Sequence, residues 1–166
     1  MCNLKVTYKL VTSKLHNMQE EIIHQWIYEQ SPNVLWEYLT QADLIALWLM
    51  PNNFKLILGH EFQFQTKPIP SLDLDGIFHC KVLEIIPFQK LIYSWKGGSG
   101  NGVFSLDTVV EWNIEKYGNG SKLLLKHSGF KAENYSILVG MTDGWQKNIQ
   151  KMLNHLNKTN NGNTYS

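Results

Sequence analysis

The stretch Lys122-Leu123-Leu124-Leu125-Lys126-His127-Ser128-Gly129-Phe130 and the residues after it decide the architecture. It reads as a final strand. A short polar break follows, and then Asp143-Gly144-Trp145 opens a long amphipathic segment. Apolar residues fall at Ile137, Met141, Trp145, Ile149, Met152, Leu153 and Leu156. Gaps of three and four put them on one stripe of a helix about 30 Å long at ~1.5 Å per residue. Such a stripe needs a large apolar partner, and the rest of the chain reads mostly as strands. A strongly curved sheet does not touch a straight helix along its whole length. The space between them is where a functional site is expected.

Composition narrows the function classes. The chain has 166 residues, 43% of them hydrophobic, which suits one domain with a sizeable core and excludes a disordered chain. Six Trp, seven Tyr and seven Phe exceed what a small core requires. Net charge is +1 and every basic residue is Lys, so no guanidinium fork is present to grip phosphate, carboxylate or a guanine edge. Nothing in this balance points to nucleic acid or an anionic membrane. Cys2 and Cys80 are the two cysteines, one near the terminus and one within a strand pattern, so no disulfide framework is expected. No signal-peptide pattern opens the sequence, and no run approaches ~18 apolar residues. The expectation is a soluble, cytoplasmic protein without membrane insertion.

Along the chain, residues 1–20 are a polar lead-in with a short strand pattern at Lys5–Val11. Glu21–Glu29 reads as a first strand. Ser31-Pro32 reads as a helix cap with proline at the first helical position, and Val34, Leu35, Tyr38 and Leu39 mark one face of the helix after it. A second short helix starts near Gln41, carries Leu44, Ala46, Leu47 and Trp48, and ends before Pro51. His60–Thr66 alternates cleanly, with Phe62 and Phe64 on one face. Ile69–Leu74 is a loop. Gly76–Ile86 and Lys90–Lys96 form a hairpin across Pro87-Phe88-Gln89, and Gly97–Gly102 is a glycine-rich loop. Ser105–Tyr117, the Gly118-Asn119-Gly120 turn and Ser121–Ser128 form the last hairpin, with Asn119-Gly120 as its turn signal. After Leu156 the composition becomes polar, and residues 158–166 read as a disordered tail.

Several of these pieces resemble the START-like (SRPBCC, helix-grip) superfamily, in particular the branch named after the heat-shock-protein-90 ATPase activator. They are Ser31-Pro32-Asn33-Val34-Leu35-Trp36, Leu47-Trp48, Val82 to Pro87 running into Leu91-Ile92-Tyr93-Ser94-Trp95, His127-Ser128-Gly129-Phe130, and Gly144-Trp145. They occur in family order across roughly residues 21–157. The resemblance implies an α+β helix-grip fold: a curved antiparallel sheet of six to seven strands around a long C-terminal helix, with two short helices after the first strand. It also implies an internal apolar cavity. Members mostly bind hydrophobic or aromatic small molecules; some are cyclases, and others act as co-chaperones through a surface. Where the family often carries two adjacent tryptophans, this chain has Trp48-Leu49, which removes one aromatic from the expected pocket mouth.

The candidate ligand-binding residues are Trp48 at that mouth, then Phe62, Phe64, Phe78, Tyr93, Trp95 and Trp112 on the sheet's inward face. His127 follows, with Met141 and Trp145 on the helix. Aromatic-lined apolar space with a few polar groups is the usual small-molecule site. Each of these residues also has a plain reading as core packing. His127 shares a strand face with Leu123 and Leu125 and is either a satisfied core histidine, a ligand anchor or a general base. Catalysis requires a second titratable group beside it. Glu84 and Glu111 are the nearest sheet carboxylates, and alternation does not place either one inward.

No metal or cofactor motif is present: neither Cys-x-x-Cys nor His-Glu-x-x-His occurs, and no Gly-x-Ser-x-Gly elbow. The leading expectation is a cup for a hydrophobic or aromatic small molecule or lipid. A cyclase- or dehydratase-like enzyme in the same cavity and a module that binds a chaperone or a second copy of itself are the alternatives.

Overall fold

The computed structural model describes residues 21–162, with side chains described through Thr159. The Lys5–Val11 strand pattern and the last four residues lie outside that range. Among the described residues, six antiparallel strands form a single curved sheet in the order β1-β6-β5-β4-β3-β2. The strands are β1 (Ile22–Tyr28), β2 (Glu61–Gln65), β3 (Ile77–Ile86), β4 (Lys90–Gly97), β5 (Leu106–Tyr117) and β6 (Gly120–Ser128). Two short helices, α1 (Pro32–Thr40) and α2 (Ala42–Trp48), lie between β1 and β2, and α3 (Tyr135–Gly162) closes the chain. This is the helix-grip arrangement, with β1 and β2 at the edges of the sheet.

Alternation drives the sheet. In β4, β5 and β6 every second side chain is buried, which places Leu91, Tyr93, Trp95, Val110, Trp112, Leu123, Leu125 and His127 on the concave face. Cross-strand register then assembles an inward row: Val82 opposes Tyr93, Tyr93 opposes Val110, Val110 opposes His127, and His127 opposes Ile22. Curvature is helped by a bulge between Val82 and Glu84, where Leu83 is the extra residue and points out to solvent. The concave side receives α3 through Ile137, Trp145, Ile149, Met152 and Leu156, all buried, with Met141 and Leu153 half-buried.

Several local expectations are corrected. Ser31 precedes α1, but its side chain makes no cap hydrogen bond; its carbonyl accepts from the Val34 and Leu35 amides instead. Trp36 is buried on α1 while Val34 is only half-buried, because the helix packs on two sides, against the sheet and against Phe88 of the β3–β4 turn. In α2 the inward residues are Ile45 and Trp48, and Ala46 and Leu47 face solvent. A seven-residue helix presents one i, i+3 ridge, and the residues between fall on the opposite side.

The last hairpin turns on Gly118-Asn119, with Tyr117 paired to Gly120. Gly118 has φ +56° and Asn119 does not share a positive φ, as in turns that take glycine first. Gly120 therefore belongs to the ladder, where a Cβ would run into the Tyr28 carbonyl of β1. Finally, α3 starts at Tyr135, ahead of the expected opening at Asp143-Gly144-Trp145, and continues through Gly162, past the end of its apolar stripe and into the segment expected to be a disordered tail. The Thr159 hydroxyl donates to the carbonyls of His155 and Leu156 in that last part.

The connection into α3 is pinned by Asn134. Its side-chain oxygen accepts from the Lys131 amide at 2.9 Å, and its amide donates to Ser105 O at 2.9 Å. Among the described residues, no helix is long and apolar enough to cross a membrane.

Candidate ligand cavity

One side of α3 does not reach the sheet. Along it lie Ile137, Gly140, Met141, Gly144, Asn148 and Lys151, spaced for a single helix face. Gly140 and Gly144 carry no side chain, and a Cβ at either would meet no atom within 4 Å. The gap they leave is a cavity of about 400 Å³, within the ~300–1,000 Å³ range of small-molecule sites. Phe78 of β3 and Trp95 of β4 form its sheet wall. Leu49 and Met50 close it from the connection between α2 and β2, and Ile69, Leu72 and Leu74 from the connection between β2 and β3. The wall is mostly apolar, and its polar side chains are Thr66, Trp95, Asn148 and Lys151.

Beside this cavity the concave face carries a cluster of buried aromatic rings in contact with one another. Trp48 meets Trp112 edge-on at 5.9 Å, Trp112 meets Trp145 at 5.4 Å, and Trp145 meets Trp95 at 5.6 Å. Phe64 stacks on Trp95 at 5.0 Å, and Phe62 lies edge-on to both Phe64 and Tyr93. Edge-to-face geometry of this kind adds about 0.5–1.5 kcal/mol per pair beyond area burial. Of the ten candidate residues, Phe78, Trp95, Met141 and Trp145 line the cavity. Trp48, Phe62, Phe64, Tyr93, Trp112 and His127 are buried in the packed region next to it.

His127 is fully enclosed, and both of its ring nitrogens are engaged. The Trp145 indole N–H donates to Nδ1 at 3.1 Å. Thr108 Oγ1 lies 2.7 Å from Nε2 and gives its own hydrogen to Trp95 O at 2.8 Å. With that hydrogen committed, the Nε2–H must be the donor to Thr108, which makes His127 the neutral Nε2–H tautomer. Burial depresses its pKa to about 3. A general base needs a free lone pair, and His127 has none. Glu111 does not supply a partner, since it lies on the outer face with Lys90 at 3.8 Å and Asn113 at 3.1 Å. Glu84, opposite Ile92, shares that outer face.

Two further buried groups stay in their neutral forms. Burial raises the pKa of the Cys80 thiol and of the Tyr93 phenol well above their usual values. Tyr93 Oη accepts the Trp112 indole N–H at 3.0 Å. The Trp95 indole N–H is different: it is buried and has no acceptor. No group of three or more His, Cys, Asp or Glu able to hold a metal occurs among the described residues.

A larger groove of about 580 Å³ lies on the outer face, lined by Glu61, Gln63, His79, Lys81, Ser94 and Lys96 together with Phe104. It is polar, being lined mainly by the outward side chains of β2, β3 and β4. Size alone does not make it the better site; the inner cavity has the apolar walls that bury a ligand.

Gly140, Gly144, Asn148 and Lys151 were not among the sequence candidates. Their signal was present as an i, i+4, i+8, i+11 row on the C-terminal helix. The residues closing the cavity from the connections on either side of β2 had no periodic signal, because those segments are irregular.

A curved sheet gripping a long helix, with an apolar cavity between them, defines a helix-grip domain of the START-like superfamily, a fold that supports ligand-binding or cyclase-like domains in general. Residues 29–157 match the model of the Activator of Hsp90 ATPase homolog 1-like protein family, and the chain belongs to that family. Among solved structures it is similar to protein MLL2253 from Mesorhizobium loti, with 29% identity and a TM-score of 0.75 over 84% of this chain and 98% of that one. It shares its fold with Bacillus halodurans protein BH1534, at 21% identity and a TM-score of 0.64 over 81% and 94% of the two chains. The Aha1 dimer from Colwellia psychrerythraea is also similar, at 18% identity and a TM-score of 0.63 over 80% and 92%. No curated protein matches the chain.

Proposed function

We propose that this protein binds a hydrophobic or aromatic small molecule, or a lipid, in the cavity between α3 and the β3–β4 side of the sheet. The observation that carries this reading is the open space beside Gly140 and Gly144, next to a cluster of buried aromatic rings in mutual contact. A helix interior bears a cost of roughly 0.5–1 kcal/mol for each glycine relative to alanine. Two glycines on the cavity-facing row therefore trade helix stability for volume. Phe78, Trp95, Met141 and Trp145 supply the contact surface. A cyclase- or dehydratase-like reaction in the same space finds no support in His127, whose nitrogens are both occupied.

Native mass spectrometry of freshly purified protein, compared with the denatured mass, tests binding directly. A retained molecule that is absent from the Gly144→Leu variant is the expected result. An occupant retained equally by wild type and Gly144→Leu would place binding elsewhere.

A second reading, engagement of a chaperone or of another copy of this chain, is favoured by the exposed Leu83, Ile86 and Phe88 around the β3–β4 hairpin. The family's name and the dimeric neighbour point the same way. The same spectra report a homodimer, and Phe88→Glu would dissociate one that used this surface.

A further inference from the structure

The chemistry of the cavity wall is one-sided, and this deepens the binding reading above, on which it rests. Among the lining side chains there is no Asp or Glu. Two of the polar ones only donate hydrogen bonds: the Trp95 indole N–H and the Lys151 ammonium. Lys151 forms no salt bridge among the described residues, in contrast to Lys147, one turn earlier on the helix, which is held by Asp143 at 2.8 Å. Thr66 and Asn148 donate or accept as required.

These groups are also ordered along the helix. Ile137 and Gly140 stand at one end of the cavity, and Asn148 and the exposed Lys151 stand at the other. From Gly140 to Lys151 the axial rise is about 16 Å at ~1.5 Å per residue. An apolar body lying beside Gly140 and Gly144 would thus carry its polar end to Lys151. A cationic end group would meet an ammonium with no carboxylate to offset it. An anionic end group gains charge-assisted hydrogen bonds from Lys151 and Asn148.

We propose that the cavity selects apolar molecules that end in a carboxylate, with the carboxylate at the Asn148–Lys151 end and the apolar body against Phe78, Trp95 and Trp145.

The test is a matched series on the full chain: decanoate, decanol and decylamine, each below its micellar concentration, titrated by tryptophan fluorescence and calorimetry. Wild type, Lys151→Gln and Gly144→Leu are compared, with circular dichroism verifying that each variant is folded. Decanoate is expected to bind at least tenfold more tightly than decylamine. Lys151→Gln should weaken decanoate three- to tenfold and leave decanol within twofold, and Gly144→Leu should abolish binding of both. Equal affinity for decanoate and decanol, untouched by Lys151→Gln, would overturn the carboxylate proposal while the cavity reading stood. Tighter binding of decylamine would overturn it in the same way. Binding that persisted in folded Gly144→Leu, or failure of all three probes on wild type, would reject the cavity reading itself.

Discussion

The Trp145 indole donates to His127 Nδ1 across 3.1 Å, joining the long helix to the last strand by a hydrogen bond inside an otherwise aromatic core. The chain continues from His127 through Thr108 to the Trp95 carbonyl, so α3, β6, β5 and β4 are tied in one line. His127 and Thr108 each have one partner on either side. Removing any of them leaves a buried polar group alone, which is more costly than the bond itself is stabilising.

His127→Ala is therefore expected to destabilise the fold by about 2–4 kcal/mol, since it orphans Trp145 Nε1, removes a buried ring and opens a void. Urea denaturation monitored by fluorescence measures this. A change below about 1 kcal/mol would mean that the Trp145–His127–Thr108 chain contributes little.

The pH dependence follows from the same residue. The folded-state pKa of His127 is about 3, below the ordinary value near 6.5, so between those values the unfolded chain binds a proton that the folded chain does not. Its contribution is fully present above about pH 6.5 and is lost as pH falls through that window, by about 1.4 kcal/mol at pH 5.5. The loss is expected in the wild type and absent in His127→Gln, compared at pH 7.5 and 5.5. Equal pH slopes would contradict the assignment of a neutral, buried imidazole.

Trp145→Ala is expected to lose about 3–5 kcal/mol through lost packing against Trp95 and Trp112. Trp145→Phe keeps most of the ring contacts and loses the hydrogen bond to His127, at a cost of about 1–3 kcal/mol. Thermal unfolding of the pair separates packing from hydrogen bonding. If the two variants were equally destabilised, the bond would be the dominant contribution.

Gly140→Ala and Gly144→Ala should each raise stability by roughly 0.5–1 kcal/mol, because the new methyl meets open space and the helix loses its most flexible residues. A rise in melting temperature with weaker ligand binding is the outcome that assigns these glycines to the cavity. A fall in melting temperature would show the space to be filled.

Cys80 is buried and its thiol pKa is raised by that burial, so it should resist a thiol reagent in the folded state. In a Cys2→Ser background, modification should be slow in buffer and immediate in denaturant. Rapid labelling of folded protein would mean that β3 opens locally.

Much of the fold was legible because it rests on periodicity. Ile137, Trp145, Ile149, Met152 and Leu156 announce a helix by their spacing, and they are the residues that bury it. Strict alternation through Lys90–Gly97 and Leu106–Tyr117 likewise sets which side chains face inward. Where periodicity was weak the reading slipped: in α2 the choice between Leu47 and Ile45, and in the last turn the choice between Asn119-Gly120 and Gly118-Asn119. A seven-residue helix contains too few repeats to define a face, and turn type depends on a strand that crosses from far away in sequence.

The sequence by itself determined the element order, the inward rows of the sheet and the apolar stripe of α3, since each follows from local spacing along one element. Tertiary structure decided which of the inward aromatics fill the core and which line the cavity. That division depends on where a curved sheet departs from a straight helix, and so on distances between elements. It also decided the role of His127: a histidine among leucines reads the same whether it anchors a ligand or locks a core. Only the convergence of Trp145 from α3 and Thr108 from β5 occupies both of its nitrogens.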